Sequence, residues 1–129
     1  MSGGGPAQHQ GLTAERWSRF SPDQRILMIA NELHRASRCL ARGEEVGLAA
    51  SYERALRLTD LTVALAGRPA LRRELLRWRG LLAESLLAGG DAAGHRRLLE
   101  ALLWFTPEAA RQRPFLLGAG VSPAEGESS

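Results

Sequence analysis

Apolar residues recur along the chain at alternating spacings of three and four, the signature of helices with one buried face. In the first long segment they are Ile26, Ile29, Leu33, Ala36 and Leu40. Ser21-Pro22-Asp23-Gln24 precedes them, combining an N-cap serine, a proline at the first helical position and a glutamine three residues after the cap. Gly43 supplies the stop. A second segment opens at Glu44-Glu45 and carries Leu48, Tyr52, Ala55, Thr59 and Thr62 on one face. Gly67-Arg68-Pro69 ends it and starts a third, with Leu71, Leu75, Trp78, Leu82 and Leu86. Gly89-Gly90 closes the third, and Asp91 caps a fourth with Leu98, Leu99, Leu102, Leu103 and Phe105. Each long helix is expected to run about 15–21 residues, or roughly 22–32 Å.

No strand-like alternation competes with this pattern. Links of a few residues between long helices favour antiparallel neighbours, so the expected fold is all-α, an antiparallel up-down four-helix bundle built from two helical hairpins. Residues 1–12 read as a flexible leader, 13–113 as the bundle and 114–129 as a disordered tail. Thr13 to Phe20 is expected to form a short helical turn, and Thr106-Pro107-Glu108 to open a short helix through Arg113. A weak internal repeat supports two hairpins: Gly43-Glu44-x-x-Gly47 recurs as Gly90-Asp91-x-x-Gly94.

Composition narrows the function classes. The 129 residues are enough for one domain. A single cysteine, Cys39, excludes an internal disulfide framework and a Cys-based zinc site. No apolar run is long enough to span a bilayer, and Met1–Gln10 lacks the apolar core of a signal peptide, so a cytoplasmic location without membrane contact is expected. All 17 basic residues are arginine, yet the formal net charge is only +3 because 14 acids accompany them. The high isoelectric point reflects arginine's refusal to titrate rather than a large charge excess.

Chemistry-bearing motifs are sparse. The three histidines, His9, His34 and His95, have no metal-ligand spacing. Cys39 lies between the stripe residues Ala36 and Leu40 and reads as a packing thiol. Gly3-Gly4-Gly5 and Gly89-Gly90-Asp91 lack the context of a phosphate loop. No Arg precedes a His with four to six residues between them, the motif of small helical ribonuclease toxins; Arg25 to His34 is too long. No catalytic, cofactor-binding or metal-binding residue is therefore expected, and the chain does not read as an enzyme.

Two surfaces remain. Leu27, Leu61, Trp104, Phe115, Leu116 and Leu117 are apolar residues that a four-helix core need not consume, and they are the candidate contacts for a helical or extended partner segment. Their alternative role is ordinary core packing or tail docking. The second surface is basic: Arg72, Arg73, Arg77, Trp78, Arg79, Arg96 and Arg97 could attract phosphates, with Trp78 stacking on bases. Its alternative is a solvated helix face, with Trp78 in the core and arginines paired to Glu32, Glu53 or Glu74.

Ser21-Pro22-Asp23-Gln24-Arg25-Ile26-Leu27-Met28-Ile29 resembles the start of the first long helix of flagellar export chaperones of the FliS type. The order over residues 20–105 is also similar: a long helix, the Gly43-Glu44 link, an Ala/Leu-rich helix, then a hairpin containing LLAGGDAAGHRRLLEALL. That resemblance implies a helical bundle that holds an unfolded protein segment. Ala30-Asn31-Glu32 and Trp104-Phe105-Thr106-Pro107 depart from the family pattern, and no contact residue is carried over. Trp17, Gln24, Asn31-Glu32, Arg35-Ala36, Gly43, YERALRLTDLTV and LRRELLRWRGLL also resemble small helical proteins found across bacteria and archaea. This second resemblance implies the bundle and no activity. The expected function is thus a non-catalytic binding module, an adaptor or secretion-type chaperone, with self-association into a homodimer open. An Arg-rich nucleic-acid accessory protein is the alternative.

Overall fold

The computed structural model describes residues 13–117. The expected leader and residues 118–129 of the expected tail lie outside the described residues. The described chain is all-helical, with seven helices: α1 (Ala14–Trp17), α2 (Pro22–Arg42), α3 (Glu45–Leu65), α4 (Pro69–Leu87), α5 (Ala92–Leu103), α6 (Pro107–Arg111) and α7 (Arg113–Leu116).

Local chemistry sets the boundaries. Ser21 and Gln24 form a reciprocal capping box: the Gln24 N–H donates to Ser21 Oγ at 3.1 Å, and the Ser21 N–H donates to Gln24 Oε1 at 2.8 Å. Gly43 ends α2 at φ 71°, where a Cβ would be strained. The repeat of this turn is real in backbone terms, because Gly90 also adopts φ 71°. Asp91 caps α5, accepting from the Gly94 N–H at 2.7 Å, whereas Glu44 makes no side-chain cap at α3.

Helix α5 is shorter than expected, at 12 residues. Thr106 precedes Pro107, and a residue before proline is driven out of the helical region. It is extended at φ −138° and ψ 153°, and its hydroxyl accepts from the Ala109 N–H to cap α6. The tail boundary expected at residue 114 falls inside α7.

Helix α2 packs against α3 and α5, α3 packs against α4, and α4 packs against α5. The core between them contains Ile29, Leu33, Tyr52, Leu58, Leu75, Leu82, Leu102 and Leu103, all essentially solvent-free. Helix α1 closes one end. Trp17 is fully buried, its indole N–H donates to Thr62 Oγ1 at 2.9 Å, and Phe20 meets it edge-on at 5.4 Å.

Helix α3 presents Gly47 to α2, where an added Cβ would lie 2.8 Å from Cys39 Sγ. Cys39 is thus half-buried against α3. The two helices are also joined by a buried charge cluster. Glu32, 4% exposed, accepts from Arg54 Nε at 2.9 Å and from Arg35 Nη1 at 3.2 Å, and Arg54 Nη2 donates to Ser51 Oγ at 3.2 Å. A buried carboxylate is tolerable only with such partners.

Candidate functional site

A cleft of about 420 Å³ lies between α2 and α5, with α7 along one wall. Its apolar lining is Leu40, Ala41, Ala92, Leu99, Leu116 and Leu117; His34, Ser37, His95 and Arg96 supply the polar groups. An apolar trough with a few convergent polar groups is the general form of a binding site.

Helical register explains the polar set. His34 and Ser37 are three apart on α2, and the Ser37 hydroxyl donates to the His34 carbonyl at 2.6 Å. His95 lies in the apolar stripe of α5, three, four and seven residues before Leu98, Leu99 and Leu102. It is 4% exposed. Its ring stacks on Tyr52 of α3, with centroids 5.8 Å apart and planes 9° from parallel. The Tyr52 hydroxyl and His95 Nδ1 are 2.9 Å apart.

Burial holds the His95 pKa below its usual value; the nearby Leu33 carbonyl opposes that shift and His34 adds to it. Burial likewise raises the Tyr52 pKa, with Asp91 adding to the rise and a hydrogen bond to Ser85 opposing it. Both groups are therefore neutral near pH 7. The Tyr52 hydroxyl and His95 Nδ1 then share one proton, its direction set by the imidazole tautomer. Nε2 makes no well-formed hydrogen bond among the described residues. His34 Nδ1 is similarly buried without one.

Leu116, at the end of α7, and Leu117, just after it, line the cleft and are half-buried. One polar tether is evident: Arg96 Nη1 donates to the Leu117 carbonyl at 3.0 Å. Of the other apolar candidates, Leu27 and Leu61 pack against the core and do not line this cleft. Trp104 is 59% exposed, and Arg113 covers its ring at 4.2 Å in a cation–π contact. Phe115 is exposed, pointing away from its two neighbours' cleft.

The basic candidates are dispersed. Trp78 is buried, and its indole donates to the Leu98 carbonyl at 2.9 Å, so it presents no face for a base. Arg79 forms a two-pronged contact with Asp60. Arg77 pairs with Glu74 at 3.5 Å, and Arg96 tethers Leu117. Arg72, Arg73 and Arg97 are exposed.

Sequence reasoning missed the Tyr52–His95 pair because 43 residues separate its members. The available signal was each residue's place within an otherwise apolar stripe. No group of three or more potential metal ligands occurs among the described residues, and none of their helices is long and apolar enough to cross a membrane. No protein-family model, curated protein or solved structure matches the chain.

Proposed function

We propose that this is a non-catalytic binding protein, of adaptor or secretion-chaperone type, that receives an apolar helical or extended segment of a partner protein in the α2/α5 cleft. Its scaffold is an antiparallel up-down four-helix bundle. The short links and the ring of α2, α3, α4 and α5 contacts support that topology. The single observation that carries the functional reading is that Leu116 and Leu117 form one wall of an apolar cleft. The α2/α5 surface thus already packs a leucine-bearing segment, and Arg96 grips that segment by a backbone carbonyl rather than by a sequence-specific group. Recognition through main-chain atoms and leucine pockets suits a partner segment of relaxed sequence. The resemblance to flagellar export chaperones points the same way.

The test displaces the resident segment without shortening the chain. Leu116→Ser/Leu117→Ser protein is titrated with a peptide spanning residues 111–117 while amide spectra are recorded. Saturable shifts at Ser37, Leu40 and Leu99 are expected, and they should be weaker in the wild-type chain, whose own segment competes. Absence of shifts at millimolar peptide in the double variant would reject the cleft as a segment-binding groove.

A further inference from the structure

Helix α4 carries a second apolar stripe that the core does not use. Leu75, Trp78 and Leu82 face inward and are buried. Leu76, Gly80, Ala83 and Leu87 follow one another at spacings of four, three and four. At 3.6 residues per turn they fall within about 60° of each other, roughly 140° around the helix from the core stripe. Leu76 is 48% exposed and Leu87 88% exposed. Gly80 is exposed, and a Cβ there would meet nothing within 4 Å. Ala83 is partly exposed.

The stripe is palindromic. Rotation about a point midway between Gly80 and Ala83 exchanges Gly80 with Ala83 and Leu76 with Leu87. Two antiparallel copies of α4 would therefore place small residues opposite small ones at the centre, allowing close approach. Leucine would face leucine at both ends. This is the self-complementarity that a two-fold interface demands.

The charges obey the same symmetry. Arg77 and Glu84 flank one side of the stripe, seven residues apart. In an antiparallel pair the same flank of both helices meets, so Arg77, whose solvent-exposed contact with Glu74 is long at 3.5 Å, lies beside the partner's Glu84, and Glu84 beside the partner's Arg77. On the other flank, Arg79 is already neutralised by Asp60. Arg73, one turn before Leu76 in the stripe, reaches past the C-terminal end of the partner's helix. The last turn of α4 has no basic residue of its own, and a helix C-terminus favours a cation. A parallel pairing would instead bring opposite flanks together, setting Arg77 against the partner's Arg72 and Arg73 against the partner's Arg73.

We infer that α4 is a self-association surface whose partner is a second copy of this chain, docked antiparallel about a two-fold axis between Gly80 and Ala83. One helix face per copy falls below the ~1,200 Å² of a stable interface, so the dimer is weak and concentration-dependent. This surface is separate from the α2/α5 cleft, and the two readings can fail independently.

Sedimentation velocity from ~10 μM to ~1 mM should show the mass rising from 14.0 kDa toward twice that value. A monomer throughout would overturn the inference. Leu76→Glu/Leu87→Glu should abolish the rise while circular dichroism remains helical; a dimer surviving in that folded variant would place the interface elsewhere. Should that variant fail to fold, the charge variants still decide. Arg77→Glu alone should weaken association several-fold, and Arg77→Glu/Glu84→Arg should restore it. Failure of the double variant to restore would refute the antiparallel register. In a Cys39→Ser background, a mixture of Gly80→Cys and Ala83→Cys chains should cross-link on mild oxidation. Leu76→Cys alone should not, because 11 residues, or about 16 Å, separate it from its counterpart position. Efficient Leu76→Cys homodimers would mean a parallel pair.

Discussion

Helices α2 and α4 are nearly equal in length, at 21 and 19 residues, yet α2 buries six residues and α4 only three. The difference lies in how each hairpin closes. Between α2 and α3, Gly47 admits the Cys39 thiol, and Glu32 is locked between Arg35 and Arg54. At the corresponding glycine, Gly94, the atoms nearest an added Cβ belong to its own cap, with Asp91 Oδ1 at 3.2 Å. The α4/α5 pair is instead joined by Trp78, whose indole reaches the Leu98 carbonyl. Similar turns thus open two helix pairs that are joined differently, and α4 keeps Leu76 and Leu87 exposed.

The sharpest test of this contrast is Glu32→Ala. It removes the buried carboxylate that accepts from Arg54 and Arg35 and so joins α2 to α3. A loss of about 3–5 kcal/mol is expected from urea unfolding. Arg79→Ala, which breaks the exposed contact with Asp60, should cost less than about 1 kcal/mol. Equal costs would remove the distinction between the hairpins.

Gly47→Ala forces a methyl group against Cys39 and should destabilise by about 1–3 kcal/mol despite alanine's better helix propensity. Gly94→Ala meets only a side-chain oxygen, so its effect should be smaller by thermal melting. A reversed order would show that the α2/α3 approach is not the tighter one.

The third test concerns pH. His95 has a folded-state pKa depressed by burial, so the unfolded chain binds more protons as pH falls below about 6.5. Its contribution to stability is complete above that value and is lost as pH falls from about 6.5 toward the folded-state pKa. His95→Gln keeps an acceptor for Tyr52 but cannot titrate. The acid-side slope of stability between pH 7 and pH 5 should therefore be shallower in the variant, and an unchanged slope would remove His95 as its source.

The smallest expected effect is Gly80→Ala. The site is an open helix interior, so dilute monomer should gain about 0.5–1 kcal/mol. The same change at Gly47 is destabilising, and the opposite signs would separate a glycine needed for helix approach from one that leaves a surface open.

Much of the local structure was legible. Ser21 with Gln24, Gly43, Asp91 and Thr106 each announced a helix end, because capping depends on residues within four positions of one another. Thr106-Pro107 marked the end of α5 as well, and the helix stops slightly sooner, at Leu103. The cleft was only half legible. Leu116 and Leu117 were candidates from their exposed apolar character, but the histidines opposite them carried no motif. Trp78 shows the limit of a cluster read in one dimension: four arginines flank it within seven residues, yet its ring faces inward.

What the sequence alone determined is the succession of helices, their caps and the turn shared by Gly43 and Gly90, since these follow from short-range sterics and hydrogen bonding. It also contained the palindromic spacing of Leu76, Gly80, Ala83 and Leu87. The core stripe of α4 at Leu75, Trp78 and Leu82 was legible too; only the tertiary structure showed that Leu76 and Leu87 are left in water. It alone brought Tyr52 to His95 and Glu32 to Arg54. Those choices depend on how helices distant in sequence divide a finite buried volume, and helical periodicity specifies a face without naming its partner.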